Sequence, residues 1–400
     1  MKATFDAAQP LDLDQFAGTP SEPAEPTSET LIAAAPQRTT LVALGSFGAK
    51  ERTRLAGIAD QATLDLELCG SAEQARESCA GKTPHSILVD ASLSGCEEFC
   101  CDVRAQSHLA QVPVLALSPE LNDLSFASAF SWGGDDAVSL RHPRALLERL
   151  RRLPKDGLVP PSARRGRALV CEPDHTRRVA LAGVLRNAGY QVTFAVEHED
   201  TLSFARSPEF ALVVINAELD AHPRAVLEEA REAGSDALWI LTSAPRSLAE
   251  LREQLVGTTR ATVCDGFAPP ENVLFLANEL GRNQGVDNRA SARLLYGTRV
   301  DFRAAGLEQD DQGYSYNVSL GGLYVRTLNP PGEDVVWLEL TPPRSDRRVR
   351  LEGQVAWRRP WGPNGTATVP PGFGVQITDG TSRDIDAWRE GYRAFARALS

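Results

Sequence analysis

The sequence predicts three folded domains: two α/β domains with doubly wound parallel sheets, then an antiparallel β-barrel with a C-terminal helix. The main observation is a block of short apolar strands alternating with amphipathic helices, which recurs about 125 residues later. Beyond residue 289 the strands instead alternate apolar and polar residues, as antiparallel strands with one buried face do. A chain of 400 residues is also too long for one compact core.

Breaks in composition give the predicted boundaries. Residues 1–38 are rich in Pro, Ala, Ser, Thr and Glu and lack periodicity, which predicts a disordered tail. A second stretch, 154–165, combines three prolines with glycine and predicts a linker. The α/β domains are therefore expected at 39–153 and 166–283, and the barrel domain at 284–400.

Composition excludes several classes of protein. Apolar residues make up 42% of the chain and charged residues 24%, as in soluble globular proteins. A net charge of −11 disfavours nucleic-acid binding, which needs a basic surface. No apolar stretch reaches the length of a membrane helix, and the N-terminus lacks the apolar core of a signal peptide. We expect a cytoplasmic protein without membrane insertion.

Each α/β block contains five strand–helix units. The opening strands are 40–45 and 167–174, and the third strands end in short polar residues at Asp90 and Asn216. The fourth strands follow at 113–118 and 238–243. Five such units in so short a block describe a flavodoxin-like fold.

The two blocks resemble the receiver domain of bacterial response regulators. The resemblance implies a phospho-acceptor Asp after the third strand, an acidic pair that holds Mg²⁺, a Ser or Thr after the fourth strand and a Lys after the fifth. In the first block, Asp90 takes the acceptor position and Ser118 the hydroxyl position, but no acid follows the first strand and Leu140-Arg141 replace the lysine. Asp90 is therefore the candidate phospho-acceptor, in an incomplete set.

The second block departs from the receiver pattern differently. Glu172 and Asp174 restore the acids and Thr242 the hydroxyl, but Asn216 takes the acceptor position and cannot form an acyl phosphate. Phe267-Ala268 replace the lysine. The sequence favours two pseudo-receivers that serve as docking or dimerisation surfaces.

Cysteine and histidine patterns predict no metal site. The seven cysteines form no CxxC pair, and the six histidines form no HExxH motif. An odd number of cysteines in a chain with large cores favours reduced, buried thiols.

The last domain is predicted from six strands and one helix. The strands are expected at 298–302, 314–319, 322–327, 334–340, 348–357 and 372–378. Thr381, with Asp384 three residues later, predicts the start of the helix. Ile385, Trp388, Tyr392, Phe395 and Leu399 recur at helical spacing and are expected to pack on the barrel.

Two motifs in this domain carry a second resemblance. Arg289 and Arg293 form an RxxxR motif before the first strand, and Asn317, Ser319 and Gly322 form an NxSxxG motif at the end of the next. With the GFGV strand at 372–375, they resemble the PilZ domain, a bacterial cyclic di-GMP receptor module, and most closely its myxobacterial variants. The resemblance implies that these five residues bind cyclic di-GMP. Arginine suits this ligand because its fork of N–H donors matches guanine edges and phosphates.

The sequence thus predicts a non-catalytic cyclic di-GMP effector that couples nucleotide binding to unidentified protein partners, with no metal and no nucleic acid. We expect the nucleotide to order the segment around Arg289 and Arg293 and so change the angle between the domains. One alternative is an adaptor for motility or polysaccharide regulation that binds no nucleotide, since Asn288 stands where PilZ domains usually have a further arginine. Another, regulation by phosphorylation, depends on Asp90 alone. No nucleophile–base or metal constellation indicates an enzyme.

Overall fold

Two five-stranded parallel sheets precede one antiparallel barrel along the chain. The structure, a computed structural model, describes residues 39–106, 108–154, 165–196, 198–219, 222–282, 291–362 and 369–399. The predicted tail 1–38 and residues 155–164 of the predicted linker lie outside these ranges. The domain boundaries therefore stay predictions.

Domain 1 consists of the first sheet and its helices. Its strands are β1 (Thr39–Leu44), β2 (Leu64–Cys69), β3 (Ser86–Asp90), β4 (Val114–Leu117) and β5 (Asp136–Val138). Its helices are α1 (Ala49–Ala62), α2 (Ala72–Cys79), α3 (Cys96–Ala105), α4 (Asp123–Ser131) and α5 (Pro143–Arg152). The strands are parallel in the order β2-β1-β3-β4-β5, and apolar clusters cover both faces of the sheet.

Domain 2 repeats this topology. Its strands are β6 (Arg167–Cys171), β7 (Gln191–Ala195), β8 (Phe210–Asn216), β9 (Leu238–Ser243) and β10 (Ala261–Asp265). Its helices are α6 (His175–Asn187), α7 (His198–Ala205), α8 (Pro223–Glu232), α9 (Leu248–Gln254) and α10 (Glu271–Arg282), with short 3-10 turns at Ala217–Leu219 and Pro245–Ser247. The order β7-β6-β8-β9-β10 matches domain 1 strand for strand. Both sheets confirm the predicted flavodoxin-like fold.

The barrel domain contains the remaining elements. Its strands are β11 (Leu294–Leu295), β12 (Arg299–Ala304), β13 (Asp311–Ser319), β14 (Gly322–Arg326), β15 (Val335–Leu340), β16 (Val349–Arg359) and β17 (Gly372–Gly380), followed by helix α11 (Ser382–Leu399). Six strands run in the order β13-β12-β15-β16-β17-β14, and pairing of β13 with β14 closes the barrel. The short β11, which the sequence did not predict, adds to the outside of β13.

Helix α11 closes one side of the barrel. Trp388 and Tyr392 are buried in the barrel core, with Ile385 packed against them. The ring of Phe395 contacts Tyr296, at 5.6 Å between centroids. Leu399, predicted to belong to the same stripe, is 43% exposed because it lies in the last turn, beyond the barrel.

The barrel packs on domain 1 through a buried ionic network. Arg149 on α5 is 1% exposed and donates from Nε to Oδ2 of Asp136 at 2.7 Å. Its Nη1 donates to Oδ1 of Asp311 in the barrel at 2.9 Å, and its Nη2 donates to the carbonyl of Gln312 at 2.6 Å. Burial alone would lower the pKa of Arg149, but Asp136 and Asp311 raise it, so the guanidinium stays charged.

Aromatic packing accompanies this network. The ring of Tyr314 in β13 stacks on Phe126 of α4 with centroids 5.5 Å apart, and its centroid lies 5.7 Å from that of Phe130. The side of domain 1 formed by α4, β5 and α5 is therefore covered by the barrel.

Domain 2 meets the barrel through α10. Arg326 in β14 donates from Nη2 to Oε1 of Glu271 at 2.6 Å. Its guanidinium also lies 3.5 Å from the ring centroid of Phe130 in domain 1. Tyr316 donates its hydroxyl proton to the carbonyl of Glu271, and its ring packs edge-on against Phe275. Arg326 thus contacts both α/β domains.

Candidate functional site

The two predicted binding motifs meet at one groove on the barrel. Arg293, Asn317, Ser319 and Gly322 all line this groove. Arg289, the first arginine of the RxxxR motif, lies outside the described residues. The groove, called the motif groove below, is completed by side chains from β16 and β17.

Helix α11 holds the two motifs together. Trp388 donates from Nε1 to the carbonyl of Leu320, inside the NxSxxG turn, at 3.1 Å. One turn later, Tyr392 donates its hydroxyl proton to the carbonyl of Ala292, inside the RxxxR segment, at 2.7 Å. Ser291 joins the motifs directly, since its hydroxyl accepts from the backbone N–H of Leu320 at 3.1 Å. The helix therefore positions the groove as well as covering the core.

A β-bulge helps to place Asn317. The register of β13 against β14 shifts between Ser315 and Asn317, and β-bulges of this kind redirect side chains beside functional sites. Asn317 is only 4% exposed although it lines the groove. Ser319 donates its hydroxyl proton to the carbonyl of Gly322 at 3.2 Å, which ties the turn to the start of β14.

Of the two glycines in the turn, only Gly322 is required by packing. A Cβ on Gly322 would lie 2.1 Å from the carbonyl oxygen of Val375 in β17, so any other residue would separate the two strands. A Cβ on Gly321 would meet no atom within 4 Å. Gly322 therefore closes the barrel at the motif groove, whereas Gly321 leaves open space there.

Trp357 forms an aromatic wall of the groove. A bulge between Val355 and Trp357 in β16 breaks the strict alternation of the strand. The indole ring stacks on Tyr324 with centroids 4.9 Å apart and remains 37% exposed. Gly374 permits this position, because a Cβ there would lie 2.5 Å from the indole Nε1. Sequence reasoning missed Trp357 as a site residue, although the glycine in the GFGV strand that accommodates it was a visible signal.

Three arginines that lie close together in the sequence, Arg293, Arg299 and Arg303, make different contacts in the structure. Arg293 lines the motif groove, half-buried. Arg299 instead forms an ion pair with Asp301 at 2.6 Å and donates to the carbonyl of Leu121 in domain 1. Arg303 lies over the ring of Trp337 at 5.3 Å. Neither Arg299 nor Arg303 lines the groove, although both lie close to Arg293 in the sequence.

Comparison with protein-family models identifies this part of the chain. Residues 287–391 match the model described as PilZ domain, and the match includes both motifs and most of α11. Residues 287–391 form a PilZ domain. It follows that the chain carries a signalling module of the cyclic di-GMP-binding type. No curated protein is similar enough to the chain to count as a match.

Solved structures resemble separate parts of the chain. The inhibitor of motility MotI (DgrA) from Bacillus subtilis is 18% identical with a TM-score of 0.23; the alignment covers 28% of this chain and 52%, about half, of that protein. The chemotaxis response regulator CheY4 of Vibrio cholerae is 17% identical with a TM-score of 0.26, over 28% of this chain and 99% of its own. The PilZ domain of CeSA from a cellulose-synthesizing bacterium is 15% identical with a TM-score of 0.21, and the alignment covers 26% of this chain and 99% of that one.

The acceptor end of domain 1 has an aromatic neighbour. Asp90 accepts hydrogen bonds at Oδ1 from the backbone N–H and the hydroxyl of Ser92, at 3.0 and 2.7 Å. A Cβ on Gly45 would lie 2.8 Å from Cβ of Asp90 and 2.6 Å from Cζ of Phe47, so both side chains pack against this glycine. Ser118, at the predicted hydroxyl position, donates instead to the carbonyl of Glu120. An apolar ring is therefore placed beside Asp90.

The corresponding end of domain 2 is filled by its own side chains. Glu172 is 2% exposed and accepts from Nδ2 of Asn216 at 3.2 and 3.3 Å. Nε of Arg177 lies 3.9 Å from the carboxylate of Glu172 and 3.6 Å from that of Asp174. The guanidinium also lies 4.5 Å from the ring centroid of Phe267. A protein cation therefore stands beside the two acids, where a receiver would hold Mg²⁺.

The described ranges contain neither a candidate metal cluster nor a candidate membrane span. In the part of the chain that the structure describes, no group of three or more His, Cys, Asp or Glu residues could hold a metal ion. Among the helices in these ranges, none combines the length and apolarity needed to cross a membrane. All seven cysteines are buried free thiols, as the sequence analysis predicts.

Proposed function

We propose that the protein is a cytoplasmic, non-catalytic effector that binds cyclic di-GMP in the motif groove of its PilZ domain. The observation that carries the proposal is the pair of hydrogen bonds by which Trp388 and Tyr392 of α11 hold the two motifs against one groove. Without this clamp, the RxxxR and NxSxxG segments would be two unrelated sequence patterns.

The groove offers the donors that a cyclic dinucleotide requires. Arg293 supplies a guanidinium that can pair with a guanine edge or a phosphate, and such a bidentate contact with guanine contributes about 1–3 kcal/mol. Asn317 and Ser319 lie across the groove and supply an amide and a hydroxyl. Arg289 belongs to this proposed set through the motif.

Trp357 adds a stacking surface. Its ring is supported from behind by Tyr324 and exposed towards the groove. Stacking of a base on an aromatic side chain contributes about 1–3 kcal/mol and needs no particular base edge. We therefore assign Trp357 to the guanine-binding set, beside the motif residues.

The same tryptophan supports coupling between nucleotide and domain contacts. Tyr324, which stacks on Trp357, donates its hydroxyl proton to the carbonyl of Pro370, and its ring centroid lies 6.2 Å from that of Tyr316. Tyr316 in turn contacts Glu271 of domain 2. A base that stacks on Trp357 and shifts its ring would change the packing of Tyr324 and, through Tyr316, the contact with α10. Protein partners would then distinguish the two states.

The binding test is a calorimetric titration of the full-length protein with cyclic di-GMP. We expect saturable binding that Arg293→Ala abolishes or weakens by at least about tenfold, since each 1.4 kcal/mol is a factor of ten. Arg303→Ala is the matched control, because Arg303 is also on the barrel but outside the groove. Equal loss in both variants, or no binding by the folded wild type, would contradict the proposal.

The coupling test is hydrogen exchange with and without the nucleotide. We expect altered exchange in β14 and α10. Because Trp357 belongs to the proposed binding set, Trp357→Ala should weaken binding, and at saturating nucleotide it should also lose the change in α10. If nucleotide binds without any change in α10, the groove is a receptor site that does not act on domain 2.

A second candidate function is a nucleotide-independent adaptor. The observation that favours it is the state of the two acceptor ends, where Phe47 adjoins Asp90 and Arg177 adjoins Glu172. Such domains would act through their surfaces. Partner binding that survives both Arg293→Ala and removal of cyclic di-GMP would support the adaptor over the effector.

A further inference from the structure

A second crevice lies where domain 1, domain 2 and the PilZ domain meet. Domain 1 contributes Arg104 and Asp135, domain 2 contributes Val184 and Leu274, and the PilZ domain contributes residues from β14 and the end of β16. We call it the junction crevice. It shares no lining residue with the motif groove, and Tyr324 lies between them, with its ring against Trp357 and its hydroxyl on Pro370 of the crevice wall. Sites between domains are common positions for small ligands.

Of the three arginines that line the crevice, two form ion pairs with carboxylates of the wall and one does not. Nη2 of Arg104 lies 2.6 Å from Oδ2 of Asp135, and Nη2 of Arg326 lies 2.6 Å from Oε1 of Glu271. Arg359 is the fifth ionisable group of the wall, and no carboxylate among the described residues forms an ion pair with it. Its guanidinium makes one long hydrogen bond, from Nη2 to the carbonyl of Gly362 at 3.4 Å. The lining therefore has a net charge of one positive unit.

Burial makes the charge of Arg359 costly. Desolvation lowers its pKa and the neighbouring guanidinium of Arg326 acts in the same direction, whereas Tyr324, Tyr316 and Glu271 offset only part of the shift. A buried cation is normally paired, because removing a charge from water without a partner is strongly unfavourable. A bound anion would supply the missing partner.

Three donors in the wall also lack acceptors. Within the described residues, Nε of Arg326, Nε of Arg359 and Nε1 of Trp361 are buried without a hydrogen-bond partner. Arg326 is only 2% exposed, so water from the surface does not satisfy it. Buried donors without acceptors are rare in native proteins and call for a specific explanation. Oε2 of Glu271 is the one unpaired acceptor of the crevice in the same part of the chain.

Most of the remaining wall is apolar, with Gln111 and Asn187 as its uncharged polar side chains. Val184 of α6 and Leu274 of α10 line it together with Val369 and Pro370. Apolar side chains with a few placed polar groups are the usual lining of a small-molecule site. The occupant should therefore combine one negative charge with an apolar body.

We propose that the junction crevice binds a small organic monocarboxylate. Its carboxylate accepts hydrogen bonds from Arg359 and Trp361, which present N–H donors suited to a planar anion. Its apolar body packs against Val184 and Leu274. A phosphate is a poorer fit, because it carries more charge than the single uncompensated cation and offers nothing to the apolar wall. This site is independent of the motif groove and holds whether or not cyclic di-GMP binds.

The test is a calorimetric titration of the full-length protein with acetate, propionate and butyrate in turn, because the crevice holds only about 70 Å³. We expect saturable binding of at least one of them, and none of 1-butanol, which keeps an apolar chain but lacks the charge. Arg359→Met should weaken binding by about tenfold or more, since a charge-assisted pair is lost. Arg358→Met is the matched control, because Arg358 adjoins Arg359 but pairs with Asp334 outside the crevice.

A lysine variant of Arg359 and a competition with inorganic phosphate test the charge and the specificity of the site. Arg359→Lys keeps the charge and loses the planar fork, so it should bind the carboxylate more weakly than wild type and more tightly than Arg359→Met. Inorganic phosphate that competes as well as the carboxylate would reveal a general anion site and overturn the proposal. Absence of Arg359-dependent binding for all three carboxylates, with the protein folded by circular dichroism, would also overturn it.

Discussion

Domains 1 and 2 share one topology but contact the PilZ domain by different chemistry. Domain 1 uses an ionic network around the fully buried Arg149, reinforced by the stack of Tyr314 on Phe126. Domain 2 uses α10, with one buried ion pair between Glu271 and Arg326 and the edge of Phe275 against Tyr316. Two domains with the same strand order therefore contact the barrel through different residues and different kinds of interaction.

The acceptor ends of the two domains also diverge. In domain 1 the aspartate is present and an aromatic ring adjoins it, whereas in domain 2 the acids are present and Arg177 stands beside them. The strand ends of both domains therefore differ from the residue set of a receiver phosphorylation site, and they differ at different positions. The ionic and aromatic contacts with the barrel described above lie instead on α4, β5 and α5 of domain 1 and on α10 of domain 2.

The largest expected effect is on the network of domain 1. Arg149→Met leaves the buried Asp136 and the partly buried Asp311 without their cation, and loss of one partner of a buried pair costs about 3–5 kcal/mol. Urea unfolding of the purified protein measures it. Arg151→Met, exposed two residues away on α5, should change the free energy of unfolding by about 1 kcal/mol or less. Similar losses in both variants would show that the network does not hold the barrel.

A smaller effect is expected at the contact of domain 2. Glu271→Gln keeps the size of the side chain but leaves Arg326 without its counter-charge, which should cost about 1–3 kcal/mol in the free energy of unfolding. Glu228→Gln, in an exposed pair with Arg224 on α8, is the control and should cost about 0.5 kcal/mol or less. A loss larger than that of Arg149→Met would reverse the ranking of the two contacts.

Alkaline pH should weaken both α/β domains through their thiols. Burial raises the pKa of Cys79 to about 11 and of Cys100, Cys171 and Cys264 to about 12. Because the folded values exceed that of an unfolded cysteine, about 8.5, this stability is fully present below that pH and is lost as pH rises towards 11–12. Urea unfolding as a function of pH measures the loss.

Thiol labelling provides the companion measurement. At about pH 8 we expect all seven cysteines to resist a maleimide in the native protein and to react in urea, because the thiolate is the reactive form. Rapid native labelling of Cys171 or Cys264, but not of the domain 1 thiols, would show that domain 2 opens independently.

The smallest expected effect is on phosphorylation. Incubation with acetyl phosphate and Mg²⁺ should give no phosphoryl adduct by intact mass, since Phe47 adjoins Asp90 and Leu140-Arg141 replace the lysine. Asn216→Asp should not restore the reaction in domain 2, where Arg177 stands beside the acids. An adduct on wild type that Asp90→Asn removes would restore the phosphorylation hypothesis.

Local patterns in the amino-acid sequence were enough to predict the three sheets, the PilZ motifs and the helix that closes the barrel. These follow from local periodicity, because a buried strand, a half-buried strand and an amphipathic helix each repeat their apolar residues at a different interval. The apolar stripe that contains Trp388 and Tyr392 could be predicted for this reason. Gly322 could be predicted because its motif has a fixed spacing. The exposure of Leu399 could not be predicted in this way, because helical spacing does not show at which residue a helix stops contacting the barrel.

The contacts between the domains and the surroundings of each groove could not be predicted from local sequence patterns. Arg149 and Asp311 are 162 residues apart in the chain, and no local pattern distinguishes them from solvated charges. Trp357 reaches the motif groove through a bulge, which breaks the alternation on which strand prediction depends. The unpaired guanidinium of Arg359 is likewise a property of three domains packed together. Such features depend on contacts between residues distant in sequence, so they exist only once the chain has folded.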